Sequence, residues 1–152
     1  MRSHAQREIG RATKLNLWKS FERSYMHSRP FLLDTIVDRI GVARTLVDTG
    51  CLAYGVINQR FVQRHKLPTI PISPFSVAGV GGDQTVNSIV RVRLSMNEHI
   101  EEGTFLYVLL ECLDYDMIMG NPWLERHDGV LEPKRRRLFL CMTGTRIKNY
   151  QY

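Results

Sequence analysis

The pattern of apolar and polar positions changes character at residue 31. Before it, Ile9, Leu15, Leu17, Trp18 and Phe21 are spaced for one face of a basic helix, and Gly10, Asn16 and Ser20 weaken that pattern. Residues 1–30 therefore read as a basic leader, helical or disordered. From Phe31 the apolar runs shorten and fill with β-formers. "FLLDTIVDR" and "ARTLVDTG" flank "IGV" and predict a hairpin turning near Gly41, with "AYGVI" as a third short strand. "NQRFVQRHKLP" predicts a helix: Asn58 is a good N-cap, Phe61, Val62 and Leu67 share a face, and Pro68 stops it. "TIPISPFSVAGVGGDQTV" mixes prolines, strand residues and a glycine cluster. The strands "SIVRVRLSM" and "GTFLYVLLECL" follow, with a turn at Asn97–Glu98.

The last third repeats the alternation at shorter length. "MIM" reads as a short buried strand ended by Gly120. Asn121 is placed to cap a helix, with Pro122 at its first position and Gly129 closing it. "LEPKRRRLFLCM" reads as a final strand and "TGTRIKNYQY" as a polar tail. Many short strands with one or two short helices predict a mostly-β domain, a closed or partly closed barrel. The expected division is leader 1–30, domain 31–143 and tail 144–152. No repeat suggests a propeller or solenoid.

Composition narrows the class. The chain has 152 residues, 43% hydrophobic and 24% charged, ordinary values for a globular protein. Its best apolar run, "FLYVLL" at Phe105–Leu110, has the length of a strand, not of a membrane span, so no membrane partner is expected. Three widely spaced cysteines, Cys51, Cys112 and Cys141, argue against a disulfide framework and for an intracellular, cytoplasmic setting. The net charge of +6 sits at the two ends, around a mildly acidic centre. Basic ends are able to contact nucleic acid, but no RNA- or DNA-binding motif accompanies them, and solvated termini explain them as well. "KRRR" at Lys134–Arg137 reads as a nuclear-targeting or RNA-binding run or, about as well, as a charged strand edge that discourages unwanted pairing.

Candidate chemistry concentrates at "TLVDTGCL". An apolar β run delivers Asp48 into a tight turn made by Thr49 and Gly50. Gly50 lets the backbone fold close enough for an N–H to reach the carboxylate, and the Thr49 hydroxyl can brace the turn. Downstream, "MIMG" (Met117–Gly120) is a second apolar strand ending in glycine and leading into a helix. Between the two lies the glycine-rich "VAGVGGDQTV". That segment lacks the G-K-[ST] ending of a phosphate loop. Cys51 reads as a small buried residue, with no histidine near it in sequence to activate it. Asp114, Asp116 and Asp128 read as solvated, and the five scattered histidines receive no role. No C-x-x-C or H-x-x-x-H pair occurs, so neither a metal nor a cofactor is expected.

"LVDTG" at Leu46–Gly50 and "DMIMGNPWLERHDGVLE" at Asp116–Glu132, in this order, resemble the retropepsin-like aspartic proteases of retroviruses and gypsy-type retrotransposons. The resemblance covers about Phe31–Met142. It implies a closed β-barrel of the acid-protease type acting as a symmetric homodimer on a polypeptide, an element of a Gag-Pol polyprotein. One D-T-G per chain implies that two copies of Asp48 meet at the dimer axis. Thr49 corresponds to the residue that clamps the two loops across the dimer, and Gly50 to the position whose backbone approaches the carboxylates. Val77, Ala78, Gly79, Val80, Gly81 and Gly82 fall in the flap. Ile118, Met119 and Gly120 correspond to the strand beneath the active-site loop, and "RLFLCM" to an interface strand. Many retroviral members follow the glycine with Ala-Asp-Asp, whose acids touch the substrate. Cys51, Leu52 and Ala53 stand there instead, so no cleavage preference carries over. The competing expectation is an inactive retropepsin-fold module for dimerisation or nucleic-acid association.

Overall fold

The computed structural model describes residues 4–79, 82–110 and 114–149. The chain divides into two compact units, Met1–Pro30 and Phe31–Tyr152. In the first, α1 (His4–Phe21) runs into a short π-helical segment, Glu22–Met26. Trp18, Phe21 and Tyr25 are exposed and in ring contact along one side, Trp18 stacked on Phe21. Among the described residues no helix is long and apolar enough to cross a membrane.

The second unit is mostly β, as its short alternating runs predict. Its strands are β1 (Leu32–Val37), β2 (Gly41–Asp48), β3 (Gly55–Asn58), β4 (Ile70–Gly79), β5 (Gly82–Met96), β6 (His99–Leu109) and β7 (Met117–Gly120). They hydrogen-bond in the order β1-β2-β7-β3-β6-β5-β4, and β1 also pairs with β5. That extra pairing, at Ile36↔Ser95 and Val37↔Leu94, closes β1-β2-β7-β3-β6-β5 into a barrel and leaves β4 as a flange on β5. Closure joins β1 to β5 and reduces the exposed edges that would offer unpaired N–H and C=O groups, leaving β4 as an outer strand. The β2–β7 and β3–β6 pairs are parallel and the others antiparallel.

Side-chain alternation aims the site. On β2, Ala43, Thr45 and Val47 are buried inward, so Leu46 and Asp48 point to the other face. The interior is one large apolar cluster, including Leu33, Ile57, Leu106, Met117, Met119 and Trp123. A smaller one holds Val56, Val86, Leu109 and Ile118, with Leu46 packed against it. Met119 thus faces the main core, while Ile118 faces the small cluster on the Asp48 side.

The two short helices form where the caps predict them, with one change. At α2 (Gln59–Arg64) the Asn58 side chain accepts the Arg60 N–H at 3.0 Å. At α3 (Asn121–Arg126) the cap position is Gly120, without a side-chain cap, and Asn121 is already helical. The Asn121 amide instead reaches along the helix to Glu125. The β1–β2 turn lies at Asp38–Ile40 and Gly41 opens β2; Asp38 and Arg39 adopt positive φ of 51° and 62°.

The C-terminal region departs most from the sequence reading. "LEPKRRRLFLCM" is a hairpin, not one strand: β8 (Gly129–Glu132) and β9 (Arg137–Leu140) flank a turn. Lys134–Arg136 therefore sit in a turn rather than on a strand edge. The expected polar tail contains β10 (Thr145–Lys148), whose Thr145 and Ile147 are buried in alternation. Two inward residues suffice, because β9 supplies the ladder for all four. The sheet order β10-β9-β8 makes β9 central, so the "RLFL" segment offers no free edge; the outer edges belong to β8 and β10.

Candidate active site

Asp48 is the last residue of β2, and its ladder partner across the parallel pair is Gly120, the last residue of β7. Two strands thus end side by side, and their following turns meet. The Gly50 amide donates to Asp48 Oδ1 at 2.8 Å, and the Cys51 amide donates to the Asp48 carbonyl at 3.1 Å. A Cβ at Gly50 would lie 3.2 Å from Asp48 Oδ1, so glycine gives the carboxylate room as well as a donor. Thr49 and Gly50 are both exposed.

The segment after the turn is pinned to the β7–α3 corner. The Asn121 amide donates to the Cys51 carbonyl at 2.8 Å and the Gly120 amide to the Tyr54 carbonyl at 2.9 Å. A Cβ at Gly120 would run into the Ala53 carbonyl oxygen, so this crossing requires glycine. "MIMG" is therefore a docking groove for the Asp48 loop.

Asp48 opens into a cleft of about 320 Å³ shared with Gly50, Leu52, Val77, Ala78 and Ile118. The flap strands β4 and β5 cover it and run in register up to Gly79↔Gly82. Val80 and Gly81 lie outside the described residues. Of the sequence-predicted residues, Asp48, Gly50, Val77, Ala78 and Ile118 converge on one cleft. Gly120 acts behind it through the backbone, and Met119 is core. Gln84, the far end of the flap region expected from the sequence, also lines the cleft; its Oε1 is buried with no hydrogen-bond partner among the described residues. Cys51 is half-buried there. Burial pushes its thiol up, and the Asp48 charge adds to this against a weak bond to the Ala53 carbonyl, so it stays protonated and a poor nucleophile. At the positions where many retroviral members carry acids, Leu52 is 82% exposed.

A larger hollow, about 610 Å³, lies elsewhere, lined by Tyr54, His99, Glu101, Arg126 and His127 among others. Its floor holds a polar cluster that sequence reasoning missed. Glu101 Oε1 accepts from His99 Nε2 at 2.7 Å and Trp123 Nε1 at 2.6 Å; His127 Nε2 lies 2.9 Å from it as an ion-pair partner and 3.2 Å from the Tyr54 hydroxyl, to which it hydrogen-bonds. Its Oε2 accepts from the Tyr54 hydroxyl at 2.9 Å and the Thr104 hydroxyl at 3.1 Å. Burial pushes the Glu101 carboxyl up, but the donors from His99, Trp123 and Tyr54 and the His127 charge outweigh it and hold it at about 2. Burial pushes His127 down, partly offset by the Glu101 charge, and raises the Tyr54 phenol, as does that same charge. The ligand atoms of His99, Glu101 and His127 lie within 4.8 Å of one another. Their N···O separations of 2.7 and 2.9 Å are hydrogen-bond lengths. Ligands of a tetrahedral zinc, each about 2.1 Å from the ion, stand roughly 3.4 Å apart, so the geometry fits shared protons better than a cation. Local spacing places His99 and Glu101 on one strand face and His127 at the α3 C-cap, one turn after Trp123, but nothing local joins the two pairs.

Comparison with known proteins bears on the fold and the family. Curated proteins gave no sequence match. Among solved structures, the retroviral protease-like domain of Ddi1 from Leishmania major is similar in fold, with TM-score 0.61 and 16% identity over 82% of this chain and 97% of that one. The EIAV protease in complex with an inhibitor gives TM-score 0.55 and 17% identity over 72% of this chain and 98% of that one. The family model of the PEG10/RTL1 protease domain matches residues 44–140, more than half of the chain and the whole span from the Asp48 strand to β9. The chain belongs to this retropepsin-like family, the PEG10/RTL1 protease domain.

Proposed function

We propose that the protein is an aspartic endopeptidase that works as a homodimer. The observation that carries this reading is Asp48 at a strand end, gripped by the Gly50 amide and facing the flap-covered cleft. One chain supplies one such carboxylate, and Thr49 and Gly50 beside it are exposed, as a surface that meets a second copy requires. Two carboxylates about 3 Å apart do not both ionise cheaply, so they share a proton. The ionised one takes a proton from a water held between them, and the protonated one polarises the peptide carbonyl. The water attacks, a tetrahedral diol forms, and the leaving nitrogen is protonated. Closure of the β4–β5 hairpin would exclude bulk water and align the scissile bond. Gln84 lines the cleft on the flap side, and a turn of its side chain would bring its buried Oε1 to a peptide N–H. Processing of a retrotransposon polyprotein is the role that fits the family.

The test is cleavage of an unstructured polypeptide between about pH 4 and 6, where a shared-proton pair is most active. Wild type should cleave and Asp48→Asn should not. Equal cleavage by both, or none by either across that range, sinks the proposal. The second reading, a non-catalytic module, draws on the basic first unit, with seven Lys/Arg against two Glu in residues 1–30. It predicts nucleic-acid binding that weakens steeply with salt.

A further inference from the structure

Glu101 lies on β6, far in sequence from the Asp48 turn, yet its carboxylate gathers three separate pieces of the molecule. It holds Tyr54 at the end of the active-site loop, Trp123 on α3 with His127 at that helix's C-cap, and His99 on its own strand. The loop leaves β2 at Asp48 and exposes its tip at Leu52. One base of the loop is fixed by the Asp48–Gly50 and Asp48–Cys51 bonds. The other base is Tyr54, whose carbonyl receives the Gly120 amide and whose hydroxyl reaches Glu101.

The geometry points to Glu101 and Tyr54 as positioning residues, a latch that clamps the active-site loop onto the β7–α3 corner and so fixes where Asp48 is presented. Several features support a latch over a generic buried acid. The Glu101 side chain is 9% exposed and both of its oxygens are fully used. Its partners come from both sides of the contact to be held, the loop and α3. The charged groups around it are few. His99 comes from β6, His127 from α3, and Arg126 lies over the Tyr54 ring at 6.0 Å. Because its donors keep Glu101 ionised down to about pH 2, the latch stays closed through the mildly acidic range in which a shared-proton aspartate pair works. A latch built on a carboxylate of ordinary acidity would loosen in that same range.

The inference rests on the aspartic-protease reading only for its kinetic readout. Tyr54→Phe keeps the ring and deletes the hydroxyl; Glu101→Gln keeps the shape and deletes the charge. In the full chain, amide hydrogen exchange should show protection of Gly120 and Asn121 falling about tenfold in Tyr54→Phe, the scale of losing one hydrogen bond to a charged group. The β1–β2 ladder should keep its protection. With a peptide substrate, kcat should fall about tenfold while KM stays within about twofold, because an effect on presentation, not on binding, lowers the rate. Unchanged protection at Gly120 and Asn121 in both variants overturns the latch. So does a rise in KM at constant kcat. If wild type itself cleaves nothing, the protease reading fails and the exchange measurement alone decides the latch.

Discussion

Two carboxylates organise this domain, and they are built in opposite ways. Asp48 ends a strand beside an open cleft, and among the described residues the donor that reaches its side chain comes from two residues away. Glu101 sits on the floor of the larger hollow, accepts four hydrogen bonds from Tyr54, His99, Thr104 and Trp123, and pairs with His127 just after α3. The first is left with unused acceptor capacity, which chemistry needs. The second has none left, which rigidity needs. A buried charge is tolerable only when its donors are complete, whereas a reactive one must stay accessible to water and substrate.

The contrast can be broken most sharply at Asp48. Asp48→Asn should lower cleavage by about a thousandfold or more, the scale of removing general acid–base catalysis, while moving stability by less than about 0.5 kcal/mol. Paired assays of turnover and urea unfolding check both halves. Glu101→Gln should do the reverse in stability, costing about 3 kcal/mol in urea unfolding, because several buried donors lose their anion. Gly120→Ala should cost about 2 kcal/mol, since its methyl group must displace the Ala53 carbonyl.

Acid titration sharpens the comparison without mutation. Glu101 is held at about 2 in the folded chain, against an ordinary 4.5. A lowered folded value means that the contribution is complete above about pH 4.5 and is lost as pH falls towards 2. Thermal melting followed by circular dichroism should show a small loss below about pH 6.5, from the lowered His127, and a steeper decline below about pH 4.5 in wild type, with that lower limb flatter in Glu101→Gln. The smallest effect belongs to Cys51→Ser. With its thiol held protonated, cleavage should change by less than about twofold, as measured by initial rates.

The two sites also differ in how far they were readable. Asp48, Thr49 and Gly50 lie together in the chain, and the turn they make is local, so β-formers followed by D-T-G sufficed to find it. The paired strand "MIMG" was readable because its order relative to D-T-G carries a family resemblance. Glu101 was not readable. Its partners Tyr54, Trp123 and His127 are 47, 22 and 26 residues away along the chain. Histidines that look scattered in sequence meet only because β6 and α3 pack at one end of the barrel. The C-terminal strand β10 was missed for a related reason: "TRIK" buries only two side chains, and its strand state comes from the ladder that β9 offers.

By itself the sequence determined the strand-rich pattern, the helix cap at Asn58, the D-T-G turn and the family, because each rests on interactions between near neighbours or on an ordered pair of motifs. Tertiary structure alone decided that β1 closes on β5, that Gly120 sits under the Ala53 carbonyl, and that one glutamate ties the active-site loop to α3. Those contacts join segments whose separation along the chain hides them, and their energies appear only once burial has removed water as the competing partner.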